Sequence, residues 1–358
     1  DSKGDGDVVV MVINSLQKAD EEFLSTFGFS IYDECQLYTT PARISAIERA
    51  VTLITLGLSA EVPHDDVGML LQYRLGMRLV DNDIPGFFKD TQVKYTTDLR
   101  LLRYHGHPQF IEKLINIKTE LMQTAYMTAQ AMCDVYRIQL IVDQAKALYD
   151  GKRNVFIWTD SRLAVDVLKS LLEQSGVPTA TPESQGGVGQ LKGGVSEAEV
   201  ESARNSRVIV ATYQYAYVGV SLPKFDAMIM ASPRKANIYQ TLKRIYRMGG
   251  DPSIPRIVID IVDAKTGLAS QLSSRMSEYQ RDIFNSTITR SRVNWDDISV
   301  DENLRKYHFT AISKALMEKI SKSEIEQSTS IYKKLLGSIR DCHDFASGVV
   351  HDKALIVP

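Results

Sequence analysis

Cysteine, membrane-length apolar runs and surplus charge are all scarce in this 358-residue chain. The three cysteines, Cys35, Cys133 and Cys342, are scattered, with neither metal spacing nor an even framework. That excludes a disulfide-stapled secreted domain or a zinc ribbon, and it suits a reducing, intracellular compartment. No apolar run approaches the roughly 20 residues a spanning helix needs, and no signal peptide is visible, so no membrane partner is expected. The 42 Lys and Arg are matched by 44 Asp and Glu, a formal net charge of −2. That balance does not mark a binder of polyanions by bulk charge, while a local basic lining stays open. A Gly-x-x-x-x-Gly-Lys-Ser/Thr loop, which wraps nucleotide phosphates, is also absent. Gly151-Lys152 is followed by Arg153 and lacks the preceding glycine. The chain opens at Asp1 without methionine, which reads as a processed product or part of something longer.

What is present is ordinary globular material. A hydrophobic share of 44% and a charged share of 24% supply a sizeable core, and the length suits two domains plus an appendage. The most informative stretch is 207–247. Val208-Ile209-Val210-Ala211 lands on Thr212, a loop carries Gly219 and Ser221, and a second apolar run over 227–231 stops at Ser232-Pro233. Short β-branched runs between helical segments predict buried parallel strands with crossovers. The loops after the carboxyl ends of such strands form the ligand crevice. The spacing predicts a helix over 237–247 that puts Gln240, Arg244 and Arg247 on one face, an amide and two guanidiniums suited to a phosphate chain. A basic, solvated helix face is the competing reading.

Earlier in the chain, 8–13 reads as a buried strand ending at Asn14-Ser15, where a plain helix cap is the simplest meaning of the pair. Residues 29–32 lead into Asp33-Glu34-Cys35-Gln36. Adjacent carboxylates closing an apolar strand are costly unless a cation meets them, and Mg²⁺-nucleotide chemistry supplies one. An acidic helix start is the alternative. The run 53–58 ends at Ser59-Ala60-Glu61, and Pro85 marks a domain boundary within 81–86. Residues 154–159 predict a strand, after which Asp160-Ser161-Arg162 open a helix whose first amides could cradle a phosphate or be capped by Ser161. Residues 181–194 read as a glycine-rich loop, Ser196 to Glu199 as a capping box, and 256–261 as the last strand of the second sheet. Gln271, Arg275 and Tyr279 share a helical face.

Taken in order, these segments resemble the superfamily 2 helicases. Asp33-Glu34-Cys35-Gln36 is similar to their motif II, Ser59-Ala60 to motif III, Asp160-Ser161-Arg162 to motif IV, Thr212 with Gly219 and Ser221 to motif V, and the eight residues from Gln240 to Arg247 to motif VI. Lys243 stands where that last pattern has glycine, Glu61 where motif III has threonine, and Ser221 near the usual motif V aspartate. The resemblance covers about residues 8–292, and the family's phosphate loop would precede it. It implies an α/β fold of two RecA-like lobes with parallel sheets, the first incomplete, facing each other across a nucleotide cleft. The expected domains are 1–88 (partial lobe one), 89–292 (lobe two) and 293–358 (a helical extension).

The implied activity is ATP-dependent movement on DNA or RNA, as in helicases of large DNA viruses and phages, with ATP and Mg²⁺ as cofactors. Asp33 would hold the metal, Glu34 orient water, and Arg244 and Arg247 act as arginine fingers. Gln36, Gly219, Ser221 and Gln240 would serve the nucleotide, while Ser15, Ser161, Arg162 and Thr212 would hold the nucleic-acid backbone. Ser59 and Ala60 would couple the two. Transcription or replication machinery is a further expected partner. The alternative is a non-catalytic, helicase-like binding or structural module.

Overall fold

The computed structural model describes residues 6–38, 40–59, 66–79, 95–111, 122, 124–216, 222, 224–235, 238–247 and 249–302. Ala60, Gly219 and Ser221, the boundary expected at 81–86, and the extension beyond 302 lie outside the described residues. The chain divides into two compact units, Asp1–Gln92 and Val93–Pro358.

In the first unit, β1 (Phe29–Tyr32) pairs in parallel with β2 (Ile54–Gly57), Tyr32 opposite Gly57. The crossover is the helix Pro41–Arg49, whose proline sits in the first turn, where no intrahelical amide is lost. Tyr32, Cys35 and Ile47 form a small core with Leu16, Tyr38 and Leu75. Gly57 lets Leu75 and Cys35 close in: a Cβ there would stand 2.7 Å from Leu75 Cδ1 and 3.2 Å from Cys35 Sγ, so the leucine tip would have to shift. The strand expected at 8–13 does not form. Val8, Val10 and Val12 are exposed, and a short helix, Ile13–Leu16, starts where the strand was expected to end. An apolar run becomes a strand only when a neighbour supplies ladder hydrogen bonds, and among the described residues β1 and β2 pair only with each other.

The second unit is built on seven parallel strands: β3 (Thr97–His105), β4 (Val155–Thr159), β5 (Val188–Leu191), β6 (Val208–Thr212), β7 (Ala227–Met230), β8 (Arg256–Asp263) and β9 (Ser286–Asn294). Their order is β5-β6-β4-β7-β8-β3-β9. Every residue of β4, β6, β7 and β8 is buried, as expected when helices cover both faces of a parallel sheet. Helices Val135–Asp150 and Arg162–Gln174 cover one face with Ile138, Ile141, Leu168 and Leu171. Ile238, Leu242 and Tyr279 pack against Phe156 and Trp158 on the other. From β4 the chain runs outward to β5, returns to β6, then passes β4 to reach β7. The direction of winding reverses at β4, so the loops after β4, β6 and β7 border the switch point.

Three expectations are corrected here. The loop expected at 181–194 contains β5, and its glycine is structural: a Cβ on Gly189 would come within 2.7 Å of Ala203 Cα in helix Glu197–Asn205. The sheet does not end at β8, since β9 pairs with β3 along its whole length. The helix expected over 237–247 is a single turn, Ile238–Leu242, tightening into a 3₁₀ turn, Lys243–Ile245.

Candidate functional site

In the first unit, parallel pairing of β1 with β2 sets the turn after β1 beside the end of β2. Cys35 N–H donates to Leu58 O at 2.9 Å and Leu58 N–H to Tyr32 O at 2.9 Å. Asp33 Oδ1 accepts the Glu34 amide at 2.9 Å, and Glu34 has a left-handed φ of 49°, where a non-glycine residue needs local support. The Gln36 side-chain amide donates to the Glu34 carboxylate, and Ser59 Oγ donates to Gln36 Oε1 at 2.5 Å. A chain from Glu34 through Gln36 to Ser59 thus links two segments 23 residues apart.

The carboxylates are not desolvated as a pair. Asp33 is exposed and Glu34 half-buried, because the turn projects past a two-stranded sheet. The expectation of two costly buried charges is corrected accordingly. Among the described residues no group of three or more His, Cys, Asp or Glu could hold a metal alone. An open aspartate with hard oxygen donors still fits Mg²⁺, which binds through one or two carboxylates and the phosphates of its nucleotide. Ser15 is exposed on the short helix Ile13–Leu16.

In the second unit, Thr159 and Thr212 are register partners at the carboxyl ends of β4 and β6. Thr159 Oγ1 lies 2.9 Å from Ser232 Oγ, which accepts the Asp160 amide at 3.3 Å and so ties the loops after β4 and β7 together. Thr212 is 5% exposed, and its hydroxyl meets no hydrogen-bond partner among the described residues. Ser161 caps helix Arg162–Gln174 by accepting the Ala164 amide at 3.0 Å, so the cap reading holds. Arg162 is exposed, its guanidinium lying over Gly193 so closely that a Cβ there would displace it.

Arg234 was missed by sequence reasoning. Its guanidinium stands 3.6 Å from Asp160 Oδ1 and 4.6 Å from the centre of the Tyr213 ring, and Tyr213 O–H donates to Ser232 O at 2.7 Å. Burial pushes the Asp160 carboxyl up, against the pull of Arg234, and burial holds the Tyr213 phenol well above its usual range. The available signal was position, since Arg234 follows Ser232-Pro233 just past the end of β7. Behind this loop, Arg275 Nε donates to Asp260 Oδ2 at 2.7 Å, Tyr279 O–H donates to the same oxygen at 2.9 Å, and Arg275 Nη1 reaches Arg234 O at 3.1 Å. The shared face expected for Arg275 and Tyr279 is therefore turned inward on a buried aspartate.

The motif VI segment is pinned through its backbone. Arg256 Nε donates to Ile245 O at 2.6 Å and Tyr95 O–H to Arg247 O at 3.0 Å, with the Arg256 guanidinium stacked 3.9 Å from the Tyr95 ring centre. Gln240 and Arg247 are half-buried and Arg244 is buried. Arg247 Nε is enclosed without a hydrogen-bond partner among the described residues. The α-helix ends at Leu242, and Arg247 lies beyond the 3₁₀ turn and its cap residue Tyr246, so the single helical face expected for Gln240, Arg244 and Arg247 does not form.

No protein-family model matches the chain. It is 31% identical over 292 residues to the protein named "Putative ATP-dependent RNA helicase QP509L" of African swine fever virus (strain Badajoz 1971 Vero-adapted), across 77% of this chain and 55% of that protein. It is 24% identical over 284 residues to "Putative ATP-dependent RNA helicase L396" of Acanthamoeba polyphaga mimivirus, across 77% of this chain and 52% of that one. The chain therefore spans about half the length of the curated relatives it matches. Among solved structures, Mss116p bound to ssRNA and AMP-PNP superposes with a TM-score of 0.53 at 13% identity, covering 94% of this chain and 63% of that one. With this identity over 77% of its length, the chain belongs to the family of the viral proteins named putative ATP-dependent RNA helicases, on a parallel α/β fold shared with Mss116p.

Proposed function

We propose that this chain is part of an ATP-driven helicase or translocase that grips RNA or DNA by its sugar-phosphate backbone. The observation that carries this reading is the carboxyl edge of β4, β6 and β7. There a buried Thr212 hydroxyl without a partner among the described residues, the first turn of a helix capped by Ser161, and the exposed Arg162 offer hydrogen-bond and charge contacts suited to phosphates. Homologues named as RNA helicases favour RNA.

In this reading Asp33 holds Mg²⁺, which neutralises charge on the nucleotide phosphates when bound. Glu34, kept in place by Gln36 and Ser59, orients the attacking water. Arg244 and Arg247 stabilise charge on the transferring phosphoryl group, with Gln240 beside the nucleotide. Arg247 suits that work because its Nε meets no hydrogen-bond acceptor among the described residues. Ser59 passes nucleotide state towards the strand contacts through its bond to Gln36.

One observation favours the second reading, a binding module without turnover: exposed Asp33 costs the fold nothing to keep. The deciding experiment is ATP hydrolysis by the intact protein with and without single-stranded RNA or DNA. Hydrolysis stimulated by nucleic acid is expected. Binding of RNA with no hydrolysis in any condition would leave the module and remove the motor.

A further inference from the structure

The edge strand β9 reads Ser-Thr-Ile-Thr-Arg-Ser-Arg-Val-Asn, too polar for a core strand and exposed along much of its length. Its pairing with β3 places Leu101 opposite Arg290, Arg103 opposite Arg292 and His105 opposite Asn294. Side chains two apart on a strand share a face. Arg103, Arg290 and Arg292 therefore stand together on the sheet face whose inner part is packed by Leu99, Leu101 and Ile288. All three arginines are exposed, as is Lys265 just past β8.

Like charges on paired strands repel, and among the described residues no carboxylate pairs with them. Among the described residues none of Arg103, Lys265, Arg290 and Arg292 makes an ion pair, and Arg292 Nε donates to Asn294 Oδ1 at 2.9 Å. The nearest acid in this chain of bonds is Asp297, which accepts from Asn294 Nδ2 at 2.8 Å. His105 reports the resulting field. Burial pushes its imidazole down, and Arg292, Lys265 and Arg103 push it further. By contrast Arg100, on the other face, is neutralised by Asp98 at 2.6 Å. An unneutralised row at one place on a chain of net charge −2 implies a polyanionic partner.

We infer that the outer β3–β9 face is a second nucleic-acid backbone site, with Arg103, Arg290 and Arg292 each meeting a phosphate. The inference rests on the proposed action on nucleic acid but concerns a different surface. Four strand spacings separate β9 from β4, roughly 19 Å. Arg290 and Arg292 are two residues apart, roughly 7 Å along the strand, which suits successive phosphates of an extended strand. Arg103 and Arg292 lie near the carboxyl ends of their strands, on the same edge as Thr212. A backbone of several nucleotides laid along that edge would reach both sites.

The test is fluorescence-anisotropy binding of a labelled single-stranded RNA to the full chain, wild type against R103Q/R290Q/R292Q, across a salt series. R100Q serves as the opposite-face control, and circular dichroism monitors the fold. The triple variant should bind on the order of tenfold more weakly, with the slope of log K against log salt shallower by about 2, at roughly 0.7 per lost phosphate contact. R100Q should match wild type. Equal binding and equal slope in wild type and triple variant would overturn the second site and leave the general reading intact. Failure of the wild type to bind RNA or DNA would overturn both. If the triple variant lost affinity for poly-glutamate but not for RNA, the face would belong to an acidic peptide and the inference would fall.

Discussion

Arg275→Met tests how the loop after β7 is held. Its guanidinium and the Asp260 carboxylate are 1% and 0% exposed and 2.7 Å apart. Asp260 Oδ1 is buried without a partner among the described residues, and Oδ2 is shared between Arg275 and Tyr279. Removing the guanidinium leaves a buried carboxylate facing one phenol, and breaking such a pair costs about 3–5 kcal/mol. For a unit of this size that is a fall in melting temperature of roughly 6–20 °C. Both tryptophans, Trp158 and Trp295, belong to the second unit, so intrinsic fluorescence during heating or urea titration follows that unit alone. The double variant R275M/D260N should recover at least half the loss, because a neutral amide can still accept from Tyr279 without stranding a charge. A loss below about 1 kcal/mol in R275M, or a double variant no better than the single one, would refute the assignment of the cost to an uncompensated charge.

Three further outcomes are expected. Asp134 caps helix Val135–Asp150 and accepts from Tyr104 O–H at 2.8 Å, and burial pushes its carboxyl up to about 6. A carboxyl whose folded value is raised binds protons more tightly when folded, so its contribution to stability falls as pH climbs from about 4 to about 6. D134N should flatten that slope by about 3 kcal/mol in paired denaturant titrations, and unchanged slopes would contradict it. Thr212→Val should leave stability equal or higher, since the buried hydroxyl lacks a partner among the described residues, while weakening RNA binding; a destabilised variant with full RNA affinity would reverse the reading. Gly193→Ala should displace only the flexible end of Arg162, leaving the melting curve unchanged while RNA affinity falls as far as in R162Q.

Strands with both faces covered were legible because burial leaves a continuous apolar run. Ile209 and Val210 in β6, or Ile229 and Met230 in β7, could be little else. Edge strands were not. In β9 the arginines and serines face water and carry no apolar period, and in β5 Gly189 serves the approach of a helix, which reads as loop chemistry. Residues 8–12 failed in the opposite sense, with apolar composition but no neighbour among the described residues to complete a ladder. Thr212 was expected at the end of its strand and Ser161 at the start of the helix after β4, and the structure has them there. Arg234 was invisible because nothing local marks an arginine that contacts Asp160, 74 positions earlier. The burial of Asp33 was overestimated, since an apolar strand before a carboxylate does not say how far the following turn projects.

The most direct test of the motor assignment is RNA-stimulated ATP hydrolysis by the intact protein carrying Arg247→Ala. Arg247 is anchored through its backbone by Tyr95, while its Nε meets no hydrogen-bond acceptor among the described residues. The variant should keep its fold and its RNA affinity and lose hydrolysis by a factor on the order of 10³ or more. Near-normal stimulated hydrolysis in a folded Arg247→Ala protein would contradict the account.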